Sequence, residues 1–279
     1  MTDWLIPGDI TAWKVTALTA AAFFAGFVDA VVGGGGLIQL PAIFAVFPNV
    51  APAVLIGTNK LISVFGTSAA AVQYGRRTRI DWQSVVPASV AALGLAFAGA
   101  AAATVVPATV FRAVLPIVLI AVAVYVFARK DLGRTHEPRH FGRAAHARGS
   151  LVGAMVGFYD GIFGPGTGSF LTFIFVHWFG FDFLRASAAA KVVNVACNVA
   201  GIAAFAVFAH LWVGFAVALG GVNVLGSLVG SHLALRRGSG FVRKMFLTVV
   251  IALICKSAYD GMRPLLTPKS PAATTAAAS

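Results

Sequence analysis

The chain has 279 residues, 59% apolar and only 11% charged, with a formal net charge of +12 and a mean hydropathy of +0.88. Soluble domains carry roughly 25% charged and 45–50% apolar residues, so this chain lacks the charge to cover a soluble surface, and its apolar mass excludes disorder. The basic excess would mean nucleic acid only as a basic face on a soluble body; what remains is an all-α, polytopic integral membrane protein.

A helix crosses the roughly 30 Å hydrocarbon core with about 20 apolar residues. Met1-Thr2-Asp3-Trp4 has no basic n-region and no early small-residue cleavage site follows. The first apolar run, 12–32, therefore reads as a mature transmembrane helix. Val31 to Phe47 is interrupted by Gly33-Gly34-Gly35-Gly36. Runs at 53–75, 83–105 and 111–128 complete a first repeat, 1–128. A basic linker, 129–148, carries Arg129, Lys130, Arg134, Arg139, Arg143 and Arg148. Leu151 to Phe179 is then interrupted by Gly164-Pro165-Gly166-Thr167-Gly168. Runs at 186–209, 212–235 and 243–260 complete a second repeat, 149–263. The tail, 264–279, is rich in Ala, Thr, Pro and Ser and reads as disordered. Glycine and proline punctuate backbone. Unwound backbone at membrane depth survives only when buried in protein or lining a cavity.

The halves repeat with an offset of 131. Gly26, Phe27, Asp29, Gly33, Gly35, Leu40, Ile43 and Phe44 recur at 157, 158, 160, 164, 166, 171, 174 and 175. Eight identities in nineteen positions exceed the two or three that chance gives in so glycine-rich a sequence. Without a gap, Lys60 falls on Lys191 and Arg112 on Arg243.

Cytoplasmic loops are enriched in Lys and Arg, which places the linker in the cytoplasm. In the first half, Arg76, Arg77 and Arg79 precede the run at 83–105. In the second, Arg236, Arg237, Arg243 and Lys244 follow the run at 212–235. Equivalent helices thus face opposite ways, which predicts two inverted repeats of about five helical segments each, with glycine-broken half-helices and a binding site near the midplane. These two loops and the linker hold ten of the twelve net charges. The excess is a topology signal, with no nucleic-acid partner implied.

Ionisable residues inside a membrane are functional candidates. Asp29, Asp160, Lys60 and Lys191 form two repeat-related sets. Asn59 adjoins Lys60; Asn194 and Asn198 share a helix face with Lys191. Helices that restart after the breaks, near Leu37 and near Gly168-Ser169, would offer unpartnered amides and a positive dipole end, which bind anions. The predicted substrate site comprises Gly33, Gly34, Gly35, Gly36, Asn59, Lys60, Gly164, Gly166, Thr167, Gly168, Ser169, Lys191 and Asn194. Asp29 and Asp160 would pair with the lysines or carry protons. The plainer reading makes the glycines packing residues and the Asp/Lys sets structural glue; recurrence at one fixed offset weighs against it. His177, His210 and His232 show no ligand spacing, so no metal or cofactor is expected. Cys197 and Cys255 lie in apolar runs and read as small buried hydrophobes.

At these residues the chain resembles the TauE/SafE sulfite exporter (TSUP) family. The resemblance rests on GFVDAVVGGGG and GFYDGIFGPGTGSF, followed by Thr58-Asn59-Lys60-Leu61 and Ala190-Lys191-Val192-Val193-Asn194. It covers nearly the whole chain, and the second motif is similar to the YfcA-like branch. It implies a bacterial plasma-membrane transporter of sulfite, sulfoacetate or other sulfur-containing or organic anions, with proton coupling. The expectation is therefore a secondary transporter of a small anion, working by alternating access and lacking a Walker motif. Alternatives are an anion channel on the same scaffold and an intramembrane aspartyl protease using Asp29 and Asp160. The sequence leaves oligomeric state, direction of flux and the anion open.

Overall fold

The computed structural model describes residues 11–107, 109–110, 117 and 142–266. Eight helices carry the site: α1 (Ala12–Val32), α2 (Gly36–Val46), α3 (Pro52–Gly75), α4 (Trp82–Val105), α5 (Gly142–Ile162), α6 (Thr167–His177), α7 (Phe183–Phe208) and α8 (Val213–Leu266). No strand occurs among the described residues. Among the described residues, five helices are long and apolar enough to cross a membrane: α1, α3, α4, α7 and α8 as far as Val242. The protein is an all-α polytopic membrane protein. α1 and α5 are each 21 residues long, α2 and α6 each 11.

Local chemistry sets the boundaries. α1 stops where Gly33 turns left-handed at φ 82°, its amide bonding back to Asp29. α3 opens with Pro52, where a missing amide costs nothing. α7 is capped by Asp182, whose carboxylate accepts from the amides of Leu184 (2.9 Å) and Arg185 (3.0 Å). One boundary differs from the sequence reading. α5 starts at Gly142, so its first seven residues lie in the segment read as linker. α8 is broken at Gly238, whose φ 71° and ψ −170° are not helical, between the runs read at 212–235 and 243–260. The run at 111–128 (except residue 117), linker residues 129–141 and tail residues 267–279 lie outside the described residues.

Small residues let the helices touch backbone to backbone. On α5, Gly149, Gly153, Gly157 and Gly161 recur every four residues and so share one face. A Cβ there would stand 2.4, 1.9, 2.7 and 2.3 Å from Ser84 O, Ala88 O, Ala92 Cα and Ala96 O of α4. Both series ascend, so α4 and α5 run parallel. α1 and α8 do the same: Gly226 lies on Phe23 O and Gly230 on Phe27 O. Positions 131 residues apart pack alike here: Gly26 meets Asn223 as Gly157 meets Ala92. α3 and α7, by contrast, run antiparallel: Gly57 meets Phe205, and Gly201 meets Lys60.

The broken segments fold as hairpins. The Lys14 ammonium lies 5.6 Å from the Phe47 ring, so α2 ends beside the start of α1. Phe47 also packs on Trp212, with ring centroids 4.9 Å apart. At the opposite end the Gly142 amide at the start of α5 donates to Gln83 Oε1 at the start of α4 (3.2 Å), and Ser239 of α8 donates to Asp182 at the start of α7 (2.9 Å). Arg76, Arg77 and Arg79 sit at that end with Arg143, Arg185 and Arg237.

Candidate functional site

The two glycine breaks meet inside the bundle. Gly33, Gly164 and Gly166 adopt φ 82°, 83° and 85°, which glycine alone takes without strain. Gly33 and Gly168 cross so closely that a Cβ on either would lie within 2.6 Å of the other's backbone. Ser169 fastens the crossing: its amide donates to Gly33 O and its hydroxyl to Val32 O, both at 3.0 Å. The second break is braced by the Tyr159 hydroxyl on Pro165 O (2.6 Å) and the Thr167 hydroxyl on Gly164 O (2.8 Å).

Past the breaks the chain restarts as α2 at Gly36 and α6 at Thr167. The first amides of a helix have no intrahelical acceptor. Leu37 and Ile38 turn theirs back on Gly34 O and Gly35 O.

Four buried charges surround this point. Lys60 Nζ lies 2.5 Å from Asp160 Oδ2, each side chain 2% exposed. Lys191 Nζ lies 3.2 Å from Asp29 Oδ2, which also accepts from the Thr67 hydroxyl at 3.1 Å. The pairing is swapped. Lys60 of the first repeat holds Asp160 of the second, and Lys191 of the second holds Asp29 of the first.

Between them lies a cavity of about 20 Å³, room for about one water molecule. Asp29, Gly33, Gly36, Asn59, Lys60, Asp160, Gly164, Gly166, Thr167, Gly168 and Asn194 line it, with Ile56, Ser63, Thr67 and Asn198. Asp29/Asp160, Gly33/Gly164, Ser63/Asn194 and Thr67/Asn198 are repeat mates, so the wall is built twice from one pattern. The Asn59 carbonyl oxygen has no hydrogen-bond partner among the described residues.

Four of the sequence-predicted residues stand off the wall. Lys191 sits behind Asp29. Gly35 packs on α1, where a Cβ would lie 2.6 Å from Ala25 O. Ser169 is spent on the crossing, and Gly34 makes only ordinary contacts. Sequence reasoning missed Ile56, Ser63 and Thr67 and left Asn198 outside the site. The signal was present for two of them: Ser63 and Thr67 follow Lys60 by three and seven residues, as Asn194 and Asn198 follow Lys191. Neither aspartate is paired with the other, as a catalytic dyad sharing a proton requires; each is matched to a lysine.

Cys197 is buried and free, whereas the Cys255 side chain lies outside the described residues. Among the described residues, no cluster of His, Cys, Asp or Glu could hold a metal.

Comparison with known proteins gives a consistent answer. A family profile described as sulfite exporter TauE/SafE matches residues 18–257. The chain is 36% identical over 259 residues to the "Probable membrane transporter protein ORF9" of Sinorhizobium sp, covering 92% of this chain and 97% of that one. It is 34% identical over 247 residues to the "Probable membrane transporter protein YfcA" of Escherichia coli (strain K12), covering 86% and 87%. A "Probable membrane transporter protein" of Haemophilus influenzae is 32% identical over 258 residues, covering 90% and 97%. No solved structure matches the chain.

Proposed function

The chain belongs to the TauE/SafE sulfite exporter family of membrane transporters, and from that premise we propose that it is a secondary carrier of a small anion. The observation that carries this reading is the pair of buried lysines held by swapped aspartates beneath two restarting helices. Lys60 supplies a cation on the cavity wall, and Lys191 supplies another behind Asp29. Gly36 and Gly168, also on the wall, bring the positive dipole ends of α2 and α6 to the same point. Asn59 offers a buried amide that, turned over, adds a donor.

A sulfite, sulfoacetate or small carboxylate entering here takes the place of a carboxylate against one or both lysines. The displaced aspartate is then free to take a proton, which couples anion and proton movement. In this cavity of about 20 Å³ the charge pairs are closed on each other.

The moving bodies follow the packing and not the chain order: α1, α2, α3 and α8 form one, and α4, α5, α6 and α7 the other. Their antiparallel α3 and α7 support an inverted relation, the architecture that alternating access uses. The arginine-rich end faces the cytoplasm of a bacterial inner membrane by the positive-inside rule.

Flux of radiolabelled sulfite, sulfoacetate and small carboxylates into proteoliposomes, with and without a proton gradient, tests the reading. Lys60→Gln and Lys191→Gln are expected to abolish anion flux while expression persists. Wild-type flux in both would sink the site assignment.

A further inference from the structure

α3 has a second functional face. Helical residues advance about 100° each, so Lys60, Ser63 and Thr67 share the side that lines the central cavity. Ser68, Ala69, Val72, Gln73 and Arg76 lie on the opposite side. With Arg77 and with Leu228 of α8 they line a separate groove of about 500 Å³ at the arginine-rich end. Its wall is apolar and turned outward, with Val72 54% and Leu228 41% exposed. Its mouth carries two guanidinium groups on consecutive residues.

Among the described residues, no carboxylate answers those two charges: neither Arg76 nor Arg77 has one within salt-bridge distance. Asp81, in the adjoining loop, accepts from Ser84 (2.7 Å), and Asp182 is held by Arg185 and Ser239. The last carbonyls of α3 are also occupied, by the amides of Arg76, Arg77 and Thr78. Two adjacent like charges with no counterion favour an anion, and guanidinium groups suit a phosphate because they donate in parallel pairs.

We infer that this groove is a binding site for the headgroup of an acidic phospholipid. The phosphate sits between Arg76 and Arg77, and Gln73 and Ser68 face the glycerol. The acyl chain lies along Ala69, Val72 and Leu228. A free anion would use the arginines but not the apolar wall; basic pockets between membrane helices take lipid headgroups in this way.

The test uses the full chain in detergent, titrated with dioleoylphosphatidylglycerol, dioleoylphosphatidylcholine or inorganic phosphate, with binding read by native mass spectrometry. The acidic lipid is expected to bind at least tenfold tighter than the zwitterionic one. Arg76→Gln/Arg77→Gln is expected to lose that preference, and Arg236→Gln/Arg237→Gln to keep it. Retained preference in the first variant overturns the assignment. Equal loss in both makes the effect one of general charge and overturns it too. Displacement of the lipid by equimolar inorganic phosphate would show a free-anion site instead. Should the Arg76/Arg77 variant fail to fold, Leu228→Trp decides. It fills the groove and leaves both arginines, and persistent lipid preference there refutes the proposal.

Discussion

Breaking the Lys60–Asp160 pair separates a structural from a transport role. Both side chains are 2% exposed and their charged atoms are 2.5 Å apart. Lys60→Met leaves the Asp160 carboxylate buried without its cation. Removing one member of a buried pair costs about 3–5 kcal/mol. At about 2–4 °C per kcal/mol for a chain of a few hundred residues, Tm should fall by on the order of 10 °C. Lys60→Met/Asp160→Leu removes both charges, and such replacements are often neutral or stabilising. The double variant should therefore regain most of the lost stability while remaining inactive. Lys191→Met should be milder, about 2 kcal/mol, because Asp29 keeps the Thr67 hydroxyl and is 9% exposed. Thermal melts of the three variants, alongside proteoliposome flux, check this. A double variant as unstable as Lys60→Met would refute the idea that the two charges act as a unit. A double variant with wild-type flux would remove Lys60 from the substrate site.

Three further outcomes follow from the packing. Gly153→Leu places a side chain where even a Cβ would stand 1.9 Å from Ala88 O, so α4 and α5 must part; loss of monodisperse protein in size-exclusion chromatography is expected. Gly168→Ala puts a methyl 2.6 Å from the Gly33 backbone; it should uncouple the two breaks and cut flux at least tenfold, with a smaller fall in Tm than Gly153→Leu. Thr67→Val removes one of two hydrogen bonds to Asp29; a loss of about 1 kcal/mol is expected, measured as a Tm shift of a few degrees.

Much of this fold is legible in the sequence because glycine, buried charge and apolar run length each have one dominant physical cause in a membrane. The left-handed Gly33 and Gly164, the helix restarts at Gly36 and Thr167, and the burial of Asp29, Lys60, Asp160 and Lys191 all follow from that. The partner of each charge does not follow. Sequence distance gives no hint that Lys60 reaches Asp160, 100 residues away, or that Lys191 reaches Asp29 across 162. Gly34, Gly35 and Ser169 looked equivalent to the cavity glycines because a glycine run does not say which member faces a ligand and which faces a neighbouring helix. Ser63 and Thr67 were overlooked because small hydroxyls are common in membrane helices. Only their register with Asn194 and Asn198 marks them.

The swapped pairing bears directly on how an empty carrier would be kept from leaking. Each ion pair joins the body of α1, α2, α3 and α8 to the body of α4, α5, α6 and α7, so movement of one against the other opens Lys60–Asp160, Lys191–Asp29 or both. Opening them in an empty cavity of about 20 Å³ would leave unpaired charges in a space that holds about one water. That is costly in a low-dielectric interior. An anion between the lysines compensates the cations, and a proton on each released aspartate removes the other sign. The proposed cycle therefore needs both ligands for a low barrier, since an anion alone leaves two carboxylates and two protons alone leave two ammonium groups. On this argument, Asp29→Asn/Asp160→Asn leaves both lysines unpaired and so lowers Tm at least as much as Lys60→Met, but the protein that folds should still bind the anion, with flux independent of the proton gradient. Proteoliposome flux that still follows an imposed pH gradient in that variant would place the coupling proton elsewhere.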